Sequence, residues 1–210
     1  MIRFVACVML LAGCNVLNAE PGNGKAAKQT RQVTGFTAVE LSGSLVADIT
    51  LGATPSVEVT GDENLLPLLV TEVKDERLLV HTTKSVRPKL ALAVHIVMPA
   101  LKAVELSGSC KATLAQVTGD KLALELSGSS ALDATGTVRE LSVDMSGSGE
   151  VHAAGLAAEA VKVGVSGSGS VEVAAASTLD VKVSGSATVL YHGHPKVTKS
   201  VSGSATVEER

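Results

Sequence analysis

The chain has 210 residues, 45% of them hydrophobic, yet it holds only two Phe, one Tyr and no Trp. A core must therefore be narrow and filled by Val, Leu and Ala, since sandwich and α/β interiors ordinarily lean on aromatics. The formal net charge of -3 leaves no basic footprint of the kind nucleic-acid binding requires.

Met1-Ile2-Arg3 supplies a positive charge and Phe4 to Leu11 is a short apolar run, the pattern of an export signal. The segment ends Leu11-Ala12-Gly13-Cys14, which resembles a bacterial lipobox. That resemblance implies cleavage before Cys14 and its lipidation, hence a membrane partner reached through acyl chains. Ordinary cleavage after Ala19 is the alternative and would release a soluble exported protein. Asn15 after the cysteine, by resemblance to enterobacterial lipoproteins, favours the outer membrane, facing periplasm or surface. Residues 20–32 (EPGNGKAAKQTRQ) are polar, with Pro and Gly and no periodicity, and read as a flexible tether. This divides the chain into a signal peptide (1–13), an anchor with tether (14–32) and a domain (33–210). Cys110 is the sole cysteine of the domain, so no disulfide framework is expected.

The domain is punctuated by seven Ser-Gly-Ser tripeptides, beginning at Ser42, Ser107, Ser127, Ser146, Ser166, Ser184 and Ser202. Their glycines are Gly43, Gly108, Gly128, Gly147, Gly167, Gly185 and Gly203; the first gap is 65 residues, the rest 20, 19, 20, 18 and 18. A fixed period of this kind marks a repeat architecture. Apolar residues precede each corner at alternate positions: Val39/Leu41, Val104/Leu106, Leu124/Leu126, Val143/Met145, Val163/Val165 and Val181/Val183. They follow it at alternate positions too: Ala47/Ile49, Ala112/Leu114, Leu132/Ala134, Val151/Ala153, Val171/Val173 and Val189/Tyr191. Period-two alternation on both sides of a glycine corner predicts two short strands per repeat, each burying one face. One turn cannot hide that face alone, so equivalent strands must stack. The expected fold is all-β: a single-stranded parallel β-helix of about seven short turns, a rod of roughly 30–35 Å at about 4.8 Å per turn.

Residues 45–106 exceed one repeat. Ser56–Thr60, Leu68–Lys74, Leu78–Thr83 and Leu90–Met98 alternate as strands, with turns at Gly61–Asn64 and Asp75–Arg77. They predict an antiparallel excursion that covers the open end of the rod, where bare strand edges would pair with other chains. Residues 107–210 carry the regular repeats.

The run Gly35-Phe36-Thr37-Ala38-Val39-Glu40-Leu41-Ser42-Gly43-Ser44 resembles a known family in order and spacing. So do Val57 to Leu66 and Thr71-Glu72-Val73-Lys74-Asp75, followed by the later Ser-Gly-Ser corners. The chain from about Val33 to Arg210 is similar to the putative auto-transporter adhesin, head GIN-domain family. The resemblance implies a right-handed parallel β-helix in an exported bacterial protein and supplies no catalytic residues.

Two residues before each corner an outward column reads Glu40, Glu105, Glu125, Asp144, Gly164, Lys182 and Ser200. Stacked in register, the four acids form a ladder on a solvated face, which could attract calcium through oxygen ligands. The corner serines can close local turn hydrogen bonds or offer a polar strip to a glycan. His192-Gly193-His194 offers two imidazoles without an evident third metal ligand and reads better as a turn. Cys110 falls in a column of mostly small residues and reads as packing. Ser-Gly-Ser is not the Gly-x-Ser-x-Gly nucleophile elbow, and the turns after Gly108 carry no long loops to build a cleft. The expected function is a non-catalytic, envelope-anchored binding or scaffolding surface without a cofactor, contacting a polysaccharide or an envelope protein. The alternative is a polysaccharide lyase or hydrolase on the same fold.

Overall fold

A computed structural model describes residues 19–210. The lipobox and Cys14 lie outside the described residues. The chain enters through β1 (Glu20–Pro21), β2 (Ala26–Arg31), β3 (Ala38–Gly43) and β4 (Val46–Leu51). Then come β5 (Ser56–Asp62), a 3-10 turn at Leu66–Leu68, β6 (Leu69–Lys74), β7 (Arg77–Thr82), β8 (Val86–Arg87) and β9 (Ala93–Met98). After β10 (Ala103–Gly108) run four long strands: β11 (Lys111–Gly128), β12 (Ala131–Gly147), β13 (Glu150–Gly167) and β14 (Ser170–Gly185). The chain closes with β15 (Thr188–His192), β16 (Lys196–Gly203) and β17 (Thr206–Glu209).

The strands stack as parallel coils of a β-solenoid. Along the wall before the corner the order is β6, β7, β3, β10, then the second halves of β11 to β14, then β16. In this wall every corner glycine pairs with the next, from Gly43 with Gly108 to Gly185 with Gly203. Along the wall after the corner the order is β2, β5, β9, β4, the first halves of β11 to β14, then β15 and β17. The register is unbroken along the corner wall because inward apolar and outward polar residues alternate with period two, so a one-residue slip would turn the core outward.

The side chains expected inside are inside. Val39, Leu41, Val104, Leu106, Leu124, Val143 and Val181 are fully buried, as are Ile49, Leu114, Leu132, Val151, Val171 and Val189. Tyr191, at the open end, is only partly buried. Each such Val or Leu contributes about 1.5–3 kcal/mol relative to leaving it in water.

Three expectations need correction. The stack makes about five turns and not seven. Seven corners are present, but the chain leaves the coil path after β4, and only β17 follows the last corner. Nor do the central coils have two short strands per repeat, as the end coils do: β11 to β14 are continuous strands of 16 to 18 residues that bend through a third wall. There Val117–Gly119 pairs with Gly136–Val138 across a register shift that absorbs the bend.

The tether is the third. Residues 20–31 are not free chain: β1 pairs in parallel with β8, and β2 pairs antiparallel with β5. The buried Asp62 carboxylate makes the knot, accepting the Gly24 N–H at 2.6 Å and those of Lys89 and Leu90 at 2.9 and 3.0 Å. A β-carbon at Gly22 would run into that carboxylate, so glycine is required there. Asn64 adds a bond from its side-chain amide to the Pro21 carbonyl and accepts the Asn23 N–H, both at 2.9 Å. Polar composition suggested a linker because these partners lie some 40 residues away and leave no local periodicity.

The excursion is antiparallel within itself, β6 on β7 and β5 on β9. It also continues both walls in parallel, β7 against β3 and β9 against β4. It is thus the first layer of the rod and its cap together.

Candidate binding face on the corner wall

The corner wall alternates inward Leu or Val with outward residues, so its outer face is ruled into columns. One column holds Glu40, Glu105, Glu125, Asp144, Gly164, Lys182 and Ser200 on successive rungs. The next holds the first serine of each corner, Ser42, Ser107, Ser127, Ser146, Ser166, Ser184 and Ser202. Between them runs a shallow groove of about 670 Å³ from Glu105 to Ser202.

The corner itself is made by glycine for two reasons. All seven corner glycines have φ between +81° and +132°, which an L side chain adopts only under strain. From Gly108 on, a β-carbon would also strike the carbonyl oxygen of the glycine one coil below, at 2.6 Å for Gly108 and 2.5 Å for Gly128. That carbonyl accepts the N–H of the second serine above it, for example Ser109 to Gly43 at 2.7 Å and Ser129 to Gly108 at 2.8 Å. The second serines therefore act through their backbone. Among first serines, Ser107 donates to the Ser42 hydroxyl at 3.0 Å and Ser127 to the Leu106 carbonyl at 3.4 Å. From Ser127 to Ser202 the first serines are exposed.

The acid ladder is not electrostatically uniform. Arg77 reaches Glu105 at 2.6 Å and Glu40 at 3.8 Å, compensating the lower two rungs. Glu125 and Asp144 are exposed, and among the described residues neither makes an ion pair. Asp144 leans over the bare Gly164 rung, its Oδ1 2.5 Å from where a β-carbon there would stand, and accepts the Ser142 hydroxyl at 3.3 Å. Beyond that gap Lys182 is exposed. The groove is thus acidic in its middle and basic toward the C-terminal end.

Sequence spacing placed the four acids on one column, but it gave no sign of Arg77, whose position rests on β7 pairing with β3. Among the described residues no three His, Cys, Asp or Glu side chains converge as metal ligands. Arg77 engages two of the acids, and the other two stand side by side without a third. The two imidazoles of 192–194 do not converge either: His192 meets Glu172 at 2.8 Å and His194 meets Glu209 at 2.9 Å. Glu172 also holds Arg210 at 3.0 Å, a clasp on the last coil that the spacing did not reveal. Its carboxyl is held below the usual range, chiefly by the His192 hydrogen bond. Cys110 is buried against the Gly43 and Ser107 carbonyls, and burial pushes its thiol up, away from the reactive thiolate.

A family model described as putative auto-transporter adhesin, head GIN domain, matches residues 35–195. The chain belongs to that family. Solved structures of the same fold include a putative adhesin from Bacteroides fragilis NCTC 9343, 20% identical with a TM-score of 0.74, covering 90% of this chain and 99% of that one. A putative adhesin from Parabacteroides distasonis ATCC 8503 is 22% identical with a TM-score of 0.62, covering 92% and 100%. From the same organism, a protein named a putative lipid binding protein is 23% identical with a TM-score of 0.56, covering 90% and 98%. At these identities the likeness is one of fold. No curated protein matches the sequence.

Proposed function

We propose that this GIN-domain protein is an exported, non-catalytic binding protein of the bacterial cell envelope, lipid-anchored at Cys14, that holds an extended polysaccharide along the corner wall. The observation that carries the reading is the groove beside the uncompensated carboxylates of Glu125 and Asp144 and the exposed serine column. Its polar groups recur at every coil, about 4.8 Å apart. A surface that repeats along one axis suits a ligand that repeats along one axis. With no aromatic platform, recognition would come from hydrogen bonds of sugar hydroxyls and amides to carboxylates and serines. Each charge-assisted bond contributes about 1.5–3 kcal/mol.

A glycan array probed with purified protein tests this. Binding should fall at least about tenfold in the variant carrying Glu125→Gln and Asp144→Asn, since two such bonds weaken. Its melting curve should be unchanged. Unaltered binding by that variant, or turnover of an acidic polysaccharide abolished by changing one acid, would defeat the proposal, the second in favour of an enzyme. The anchor is tested separately: Cys14→Ala should release the protein from membranes.

A further inference from the structure

Strands β1 and β2 change what an anchor at Cys14 would do. The chain is committed to the fold from Glu20 onward: Glu20 N–H donates to the Ser85 carbonyl and Gly22 N–H to the Arg87 carbonyl, both at 2.9 Å. Lys84 pairs with Glu20 at 2.8 Å, and Asp62 and Asn64 secure residues 21–24. These residues belong to the N-terminal cap, beside the layer that β5, β6, β7 and β9 add below the first coil. Six Cα steps separate Cys14 from Glu20, which span at most about 22 Å however the chain runs. The corner wall from β7 to β16 is eight strands deep, or about 34 Å. The leash is shorter than the rod.

We infer that the rod stands on the membrane by its N-terminal cap, with the edge formed by residues 20–25 and 84–89 facing the lipid headgroups and the C-terminal coils projecting away. This rests on the anchor proposed at Cys14. The cap edge carries Lys25, Lys84, Arg87 and Lys89 against Glu20, Glu63 and the buried Asp62, an excess of one cation, with Lys84 on Glu20 at 2.8 Å and Lys25 on Glu63 at 4.0 Å. Such an edge accepts anionic headgroups. The walls do not invite the rod to lie flat. The corner wall presents Glu125 and Asp144 against Lys182, the wall after the corner presents Asp48, Asp133 and Glu150 against Lys111, and on the third wall Lys121 and Arg139 are paired with Glu140 and Asp120. The exposed large hydrophobic among the described residues, Val201, sits on the last coil at the far end. Standing upright leaves the groove accessible along its length.

Depth-dependent quenching measures the orientation. The full lipidated chain carries one fluorophore, at Ser85→Cys or at Ser202→Cys, in phosphatidylethanolamine–phosphatidylglycerol vesicles containing nitroxide-labelled lipid. Cys110 is buried and should stay unlabelled. Quenching at position 85 should exceed that at 202 several-fold. Inserting about twenty Gly and Ser residues between Ala19 and Glu20, a flexible spacer, should abolish the difference. Equal quenching at both sites, stronger quenching at 202, or a difference indifferent to the spacer would overturn the orientation while leaving the anchor intact. Failure of the unmodified protein to associate with vesicles, or association undiminished by Cys14→Ala, would overturn the anchor and this inference with it.

Discussion

The side chain of Met145 lies across Gly169, one coil along the inner corner, where its sulfur stands 2.8 Å from the position a β-carbon would take. The same sulfur is 3.1 Å from that position at Gly149, on the corner that Met145 itself enters. One flexible thioether thus fills the space that two glycines leave, as methionine often does in irregular cores. Gly169→Ala should overpack this corner and cost about 1–3 kcal/mol, and Met145→Ala should leave a cavity costing about 2–5 kcal/mol. Because they share one space, the double variant should lose less than the sum, and urea melts of a double-mutant cycle would measure the difference.

The corner glycines should differ in cost although they share a motif. Gly43 has open space where its β-carbon would fall, so Gly43→Ala pays only for its positive φ, about 1–2 kcal/mol. Gly128 has the Gly108 carbonyl 2.5 Å away and a positive φ as well. Gly128→Ala should therefore be the more damaging by at least about 1 kcal/mol. Equal melting temperatures for the two variants would show that the stacked carbonyls yield freely.

Acid should loosen both ends of the rod. Asp62 is held below the ordinary carboxyl range mainly by the Leu90 N–H, with those of Gly24 and Lys89 adding to it. Glu172 is held low mainly by His192, with Arg210 contributing. A carboxyl with a lowered folded pKa stabilises fully above its unfolded value, about pH 4, and the contribution disappears as pH falls through the folded value. Hydrogen exchange should therefore quicken at residues 22–25 and 89–90, and at 190–192 and 210, below about pH 4 while the central coils stay protected. Asp62→Asn should produce the first effect at neutral pH, because the amide nitrogen that replaces one carboxylate oxygen cannot accept the N–H groups held there.

Arg77 separates the lower rungs of the ladder from mutual repulsion. Neighbouring carboxylates about 4.8 Å apart repel by about 3.5 kcal/mol at an effective dielectric of 20 and by under about 1 kcal/mol in water. The pair is partly exposed, with side-chain accessibilities of 33% for Arg77 and 38% for Glu105, so Arg77→Gln should cost only about 0.5–1 kcal/mol. The loss should shrink as salt screens the acids, and chemical melts at low and high ionic strength would show it.

The sequence by itself determined the coil. Its Ser-Gly-Ser period set the corners, and the flanking pairs, such as Leu124/Leu126 and Val171/Val173, set which face is buried. Both are local properties of a strand and a turn, repeated often enough that stacking is the one way to hide them. In-register stacking then followed for Glu105, Glu125 and Asp144, since equivalent residues of equal coils must align. Tertiary structure alone decided what lies at the ends and what faces the ladder. Residues 20–21 and 26–31 became strands, and 22–25 a fixed link between them, because β8, β5 and Asp62 were there to receive them. Arg77 reached Glu105, and Glu172 gathered His192 and Arg210, across separations of 20 to 38 residues. Such partners meet only after the chain has closed on itself, and no periodicity announces them beforehand.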